Sequence, residues 1–192
     1  MNPALTLAGL MLLTITGSSA AQTPAPDQIA DLNRICIAAQ GDRARAAELA
    51  QAAGYSQTPP EMVPERRNMR DMVGFMKTDA EQARIVLLGR STRRLGRETV
   101  TLNLCAVSAR PADYRALQTR LRQMIGFDEV REGGGDGDTW AWLAQDGGRA
   151  PVRNLNDANA SSLAATGRLR IVNLQREGPG AALIYATAVA ED

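Results

Sequence analysis

Hydrophobic positions along the chain alternate between helical and strand periods, and the changes divide it. Ile29, Leu32, Ile35, Cys36 and Ala39 recur at helical spacing and predict a helix over Asp27–Ala39, stopped by Gly41. Asp42 is a natural N-cap for a second helix, Arg43–Ala53, with a narrow face of Ala46, Leu49, Ala50 and Ala53 that ends at Gly54. The two make a tight helical hairpin. Tyr55–Glu65 carries three prolines and reads as an extended connection. Met69, Met72, Val73 and Met76 then share one side of a helix predicted over Arg66–Lys77. That methionine stripe is either soft core packing or an adaptable surface for apolar ligands.

From there the period falls to two. Ala83–Leu88 is a short apolar strand, and Glu98–Ser108 alternates, with Val100, Leu102, Leu104 and Ala106 on one face and Thr99, Thr101, Asn103 and Cys105 on the other. The segment Gly89–Arg97 between them reads as a hairpin connection. Cys105 falls on the polar face, so the first helix must cross that face if its Cys36 is to reach Cys105. A long amphipathic helix is predicted over Ala112–Ile125 behind Pro111, and a glycine-rich turn, Glu132–Asp138, leads into a strand Thr139–Gln145. Arg149–Thr166 is polar, with a helical turn near Asp157–Leu163. Arg168–Gln175 and Ala181–Ala188 are strands joined by Glu177-Gly178-Pro179-Gly180. This order predicts an α+β domain, with a helical hairpin and further helices packed on a mainly antiparallel sheet of about five strands.

Composition narrows the function by exclusion. The chain has 192 residues, 44% hydrophobic and 22% charged, with net charge +1; this suits one globular domain, assigned to residues 27–192. There is no histidine, which removes imidazole-based nucleophile pairs, imidazole metal ligands and the usual neutral proton shuttle. Balanced charge argues against nucleic acid as a partner. Of 22 basic residues only Lys77 is lysine, a bias that fits a GC-rich coding sequence.

Residues 1–20 hold no charged side chain, an apolar run Ala4–Ile15 and then Gly17, Ser18, Ser19 and Ala20. They read as a signal peptide cleaved after Ala20 or Ala21, followed by a mobile lead, residues 21–26. The run is shorter than the roughly 18–20 residues of a membrane-spanning helix, so no span is expected after cleavage. The expected location is the periplasm. In that oxidising compartment Cys36 and Cys105 are expected to pair, the alternative being two separately buried thiols.

Four arginines, Arg90, Arg93, Arg94 and Arg97, form the densest like-charge patch, at a predicted hairpin tip. It would suit a carboxylate, a phosphate or an anionic partner surface, or be a solvated loop. Trp140 and Trp142 point to one face of their strand and offer either a stacking platform or core filling. Asp136-Gly137-Asp138 fails as a calcium loop because Trp140 stands where a third oxygen ligand belongs. No metal or other cofactor is expected, and no pair of carboxylates is distinguished as a catalytic acid and base.

The segment Cys36-Ile37-Ala38-Ala39-Gln40-Gly41-Asp42, continuing through Ala46, Ala50 and Ala53 to Gly54-Tyr55, resembles the opening of small uncharacterised exported proteins of Gram-negative bacteria. In those, a helix-borne cysteine precedes Gly-Asp and an alanine-rich helix, with a second cysteine on a later strand. The resemblance covers about a third of the chain and implies export, Cys36–Cys105 pairing and an α+β fold, with no activity attached. The reading that follows is a periplasmic, non-catalytic domain that binds a partner protein or small ligand through its sheet face or the loops around Arg90–Arg97 and Gly133–Trp142. A histidine-free envelope hydrolase using carboxylates and an inhibitor or immunity-type protein are the alternatives.

Overall fold

The structure is a computed structural model that describes residues 28–63, 69–79, 82–95, 98–130 and 137–189. The expected signal peptide and mobile lead lie outside the described residues, as do Arg97 and most of the glycine-rich turn. The first helix starts as α1 (Gln28–Asp31) and continues as widened π-helical turns over Leu32–Ile37. The predicted stripe is its buried side: Ile29, Leu32, Ile35, Cys36 and Ala39 are all in the core. Gln40 and Gly41, with φ of 52° and 92°, turn the chain. Asp42 then caps α2 (Arg43–Ala52), its Oδ1 accepting from the Arg45 amide at 3.1 Å.

Gly41 also has to be a glycine for space. A Cβ there would come within 2.2 Å of Thr187 Oγ1, and Asn103 Nδ2 donates to the Gly41 carbonyl at 3.0 Å. The turn of the helical hairpin therefore rests directly on the sheet. The long helix, α3 (Tyr114–Ile125), is capped by Asp113 and closed by Gly126 at φ 90°. Its Leu117, Leu121 and Ile125 are buried.

Eight strands form one sheet in the order β1-β2-β3-β4-β8-β7-β5-β6, with every neighbouring pair antiparallel. They are β1 (Ser56–Gln57), β2 (Met69–Thr78), β3 (Ala83–Leu95), β4 (Glu98–Arg110), β5 (Gly137–Gln145), β6 (Gly148–Pro151), β7 (Leu169–Glu177) and β8 (Gly180–Ala188). The α+β, antiparallel architecture is as expected, but the sheet has eight strands rather than about five. Two of the additional strands, β1 and β6, are short edges of two and four residues, built from polar and turn-forming residues. The third, β2, replaces the helix predicted over Arg66–Lys77.

The cause of that error is a β-bulge. Arg70 pairs with Arg90 and Val73 with Leu88, so three steps along β2 match two along β3, and Asp71 takes a left-handed φ of 54°. The inserted residue stretches the spacing from Met69 to Met72 to three while keeping both on the side that also carries Gly74 and Met76. A bulged strand thus imitates helical periodicity. The predicted Gly89–Arg97 connection is strand as well: β3 and β4 run side by side from Ala83↔Arg110 to Leu95↔Glu98.

The two faces of the sheet are covered unequally. The face carrying Cys105 and Val107 lies under the helical hairpin and α3, with Leu32, Ile35, Phe75, Val86, Leu121, Trp140 and Tyr185 in a single core. The other face is covered at one end by α4 (Asp157–Ala165), where Ala164 joins Val100, Leu102, Leu169, Ala186 and Ala188. Cys36 and Cys105 form the disulfide that ties the first helix to the middle of β4 across a sequence separation of 69. Among the described residues no helix is long and apolar enough to cross a membrane.

Candidate functional site

Beyond the reach of α4 the second face stays open as a groove of about 350 Å³ across β2, β3, β4 and β8. Its floor is Leu87, Leu104, Ala106 and Ile184, the face that alternation along β4 marks as apolar. One wall is the 3₁₀ turn Pro60–Met62 with Val63, and the rest is the methionine side of β2. Four of the chain's seven methionines, Met62, Met69, Met72 and Met76, line it. Two glycines shape these walls. A Cβ on Gly89 would meet Met72 Sδ at 2.5 Å, and one on Gly74 would meet Val63 Cγ2 at 3.1 Å. Without them neither the Met72 thioether nor the 3₁₀ segment could lie down on the sheet.

The groove is open to solvent and apolar at once. Met62 is 61% exposed, Met76 38% and Ile85 36%, and all three line it. An apolar surface of this kind, concave and rimmed by polar groups, marks a binding site more than ordinary surface does. Its polar groups gather at the end formed by Ser108, Arg110 and Glu177, where Ser108 Oγ donates to Glu177 Oε2 at 2.8 Å. Thr58 Oγ1 is buried in the wall with no hydrogen-bond partner among the described residues.

The residues singled out in the sequence fall elsewhere. Trp140 and Trp142 are 0% and 3% exposed. Trp142 stacks on Tyr185 at 6.2 Å and meets Phe127 edge-on at 6.3 Å, so the indoles fill the helix-side core and present no face to a ligand. Arg90 and Arg93 are exposed on β3 and, three residues apart in a strand, project to opposite faces. The expected cluster at a loop tip is therefore split along a strand. Arg94 is also on β3, and Arg97 lies outside the described residues. Opposite Arg90 stands Arg70 of β2, a cross-strand pair of like charges that a linear reading does not reveal.

The best-developed polar cluster is on the helix side and is enclosed. Asp31, 0% exposed, accepts at Oδ2 from Tyr55 Oη at 2.6 Å and from Arg84 Nη1 at 2.7 Å, and pairs with Arg34 through Oδ1. Arg84 also reaches Asp79 at 3.2 Å. Burial, and then the hydrogen bond to Asp31, push the Tyr55 phenol far above its ordinary range. Burial likewise raises Tyr185, and raises Tyr114 together with the hydrogen bond to Asp138. None of these groups reaches the groove lining. Among the described residues no three His, Cys, Asp or Glu side chains gather as a metal-holding group.

The groove residues outside the methionine stripe, above all Met62, Ser108, Arg110 and Glu177, were not singled out from the sequence. The available signal was the apolar Leu102-Leu104-Ala106 alternation on a sheet whose disulfide draws the helices to the opposite face. Comparison with known protein families, with curated proteins and with solved structures finds no match to this chain.

Proposed function

We propose that this is an exported, non-catalytic binding domain whose sheet-face groove takes up a small apolar ligand. The observation that carries the reading is the open groove itself: about 350 Å³, floored by aliphatic side chains and walled by four methionines. Methionine is unbranched and polarizable, so such walls adapt to ligands of differing shape. The volume lies at the lower end of the roughly 300–1,000 Å³ typical of small-molecule sites. Export is supported by the Cys36–Cys105 disulfide, which fits an oxidising compartment.

The test is titration of the full chain with N-phenylnaphthylamine, a neutral dye that brightens in apolar surroundings. Saturable binding to the wild type, lost in Ala106→Trp while the melting transition is kept, is the expected result. Ala106 is on the groove floor, where an indole would fill the space. A dye that ignores the protein, or binds Ala106→Trp equally well, overturns the reading.

A further inference from the structure

We propose, resting on that reading, that the occupant is a single-chain amphiphile with a carboxylate head, a long-chain fatty acid, lying with its chain along the methionines and its head at Arg110. Apart from the Thr58 hydroxyl in the wall, polarity in the groove gathers at one end, so the site is complementary to a molecule that is apolar for most of its length and polar at one terminus. Arg110 is the one cationic side chain lining the groove among the described residues. No ion pair engages it among the described residues. A guanidinium presents paired donors that match a carboxylate.

Glu177, at the same end, bears on the charge of the head. Its carboxylate accepts from Ser108 at 2.8 Å at the same end of the groove. That negative neighbour tolerates a singly charged head better than a phosphate carrying more charge. The small volume favours one chain over two. The groove floor is the open face of the sheet, with the glycine-allowed approach of Met72 and Val63 on one side.

The experiment is displacement of N-phenylnaphthylamine from the full chain by dodecanoate below its micelle concentration and by dodecanol below its solubility limit. Dodecanoate is expected to displace the dye at about tenfold lower concentration than dodecanol, the gain from one charge-assisted contact. Arg110→Gln should abolish that advantage while still binding the dye, and Arg110→Lys should keep part of it. Equal displacement by acid and alcohol, or an advantage that survives in Arg110→Gln, overturns the carboxylate assignment and leaves the groove reading intact. Failure of the dye to bind at all removes the groove reading itself. Sedimentation of the protein with phosphatidylglycerol vesicles, with no displacement by dodecanoate, would assign the face to a membrane surface and also overturn the proposal.

Discussion

Tyr55 and Arg84 meet on a single carboxylate oxygen, Asp31 Oδ2, at 2.6 and 2.7 Å. They come from the chain after α2 and from β3, so this one buried oxygen joins the first helix to two separate parts of the fold. Removing Asp31 would leave a guanidinium, 6% exposed, without its main counter-charge. Asp31→Ala is therefore expected to cost about 3–5 kcal/mol, and Tyr55→Phe about 2 kcal/mol, in denaturant unfolding. Equal and small losses would show the network to be dispensable.

The tyrosines set an alkaline limit. The chain has three, and all are raised above the ordinary phenol value of 10.0, chiefly by burial. The folded state therefore prefers the protonated phenol. That contribution is complete below the unfolded value and is lost as pH rises through the folded ones. The melting temperature should fall once pH passes about 10, accompanied by tyrosinate absorbance. With no histidine in the sequence, no imidazole step is expected near neutrality. A melting temperature that stays level through the phenol range would contradict this.

The disulfide should act as one unit. Cys36→Ser and Cys105→Ser are expected to destabilise equally, with the double variant no worse, since each removes the same bond. For a separation of 69 residues the chain-entropy cost is about 4 kcal/mol. Calorimetry of the three variants, with wild type under reductant as the reference, checks this; additive losses would mean separate packing roles.

Core roles for the indoles predict a graded response. Trp140 is fully buried and its Nε1 has no hydrogen-bond partner among the described residues. Trp140→Ala should cost about 3–5 kcal/mol. Trp140→Phe should cost far less, because it also removes a buried donor that has no acceptor. Dye binding at the groove should be unaffected in the folded Phe variant.

The bulge can be probed at Asp71, which holds a φ of 54°. Asp71→Gly should be nearly neutral, while Asp71→Val should lose about 1–2 kcal/mol from forcing a branched residue into the left-handed region. If valine is tolerated as well as glycine in thermal melts, the bulge is not at this position.

How much of this was legible follows from which residues carried local signals. Asp42 and Gly41 mark helix ends by chemistry that acts within a few residues, and the structure places a cap and a turn there, whereas the third helix starts at Tyr114 behind an Asp113 cap rather than at Ala112. The strict alternation of β4 was equally local. The strand β2 was not, because its bulge at Asp71 shifted Met69 and Met72 into helical spacing, and only pairing with β3 reveals the insertion. The short edges β1 and β6 carry no period at all. The groove is half legible: the methionine stripe stands out, but its spacing points to a helix where the structure has β2. Arg110 and Glu177 line the same end only because β4 and β7 flank β8, a neighbourhood that spans 67 positions of sequence.

The place of β8 has a consequence for assembly. Last in sequence among the described strands, it lies between β4 and β7 at the middle of the sheet. Without it, β1 to β4 and β5 to β7 would be two separate halves, each with a long unsatisfied edge. Such edges recruit whatever strand is nearest, including that of another molecule. A chain cut before Gly180 would lack the strand that joins β4 to β7 and would be left as two half-sheets with open edges rather than as a slightly shortened domain.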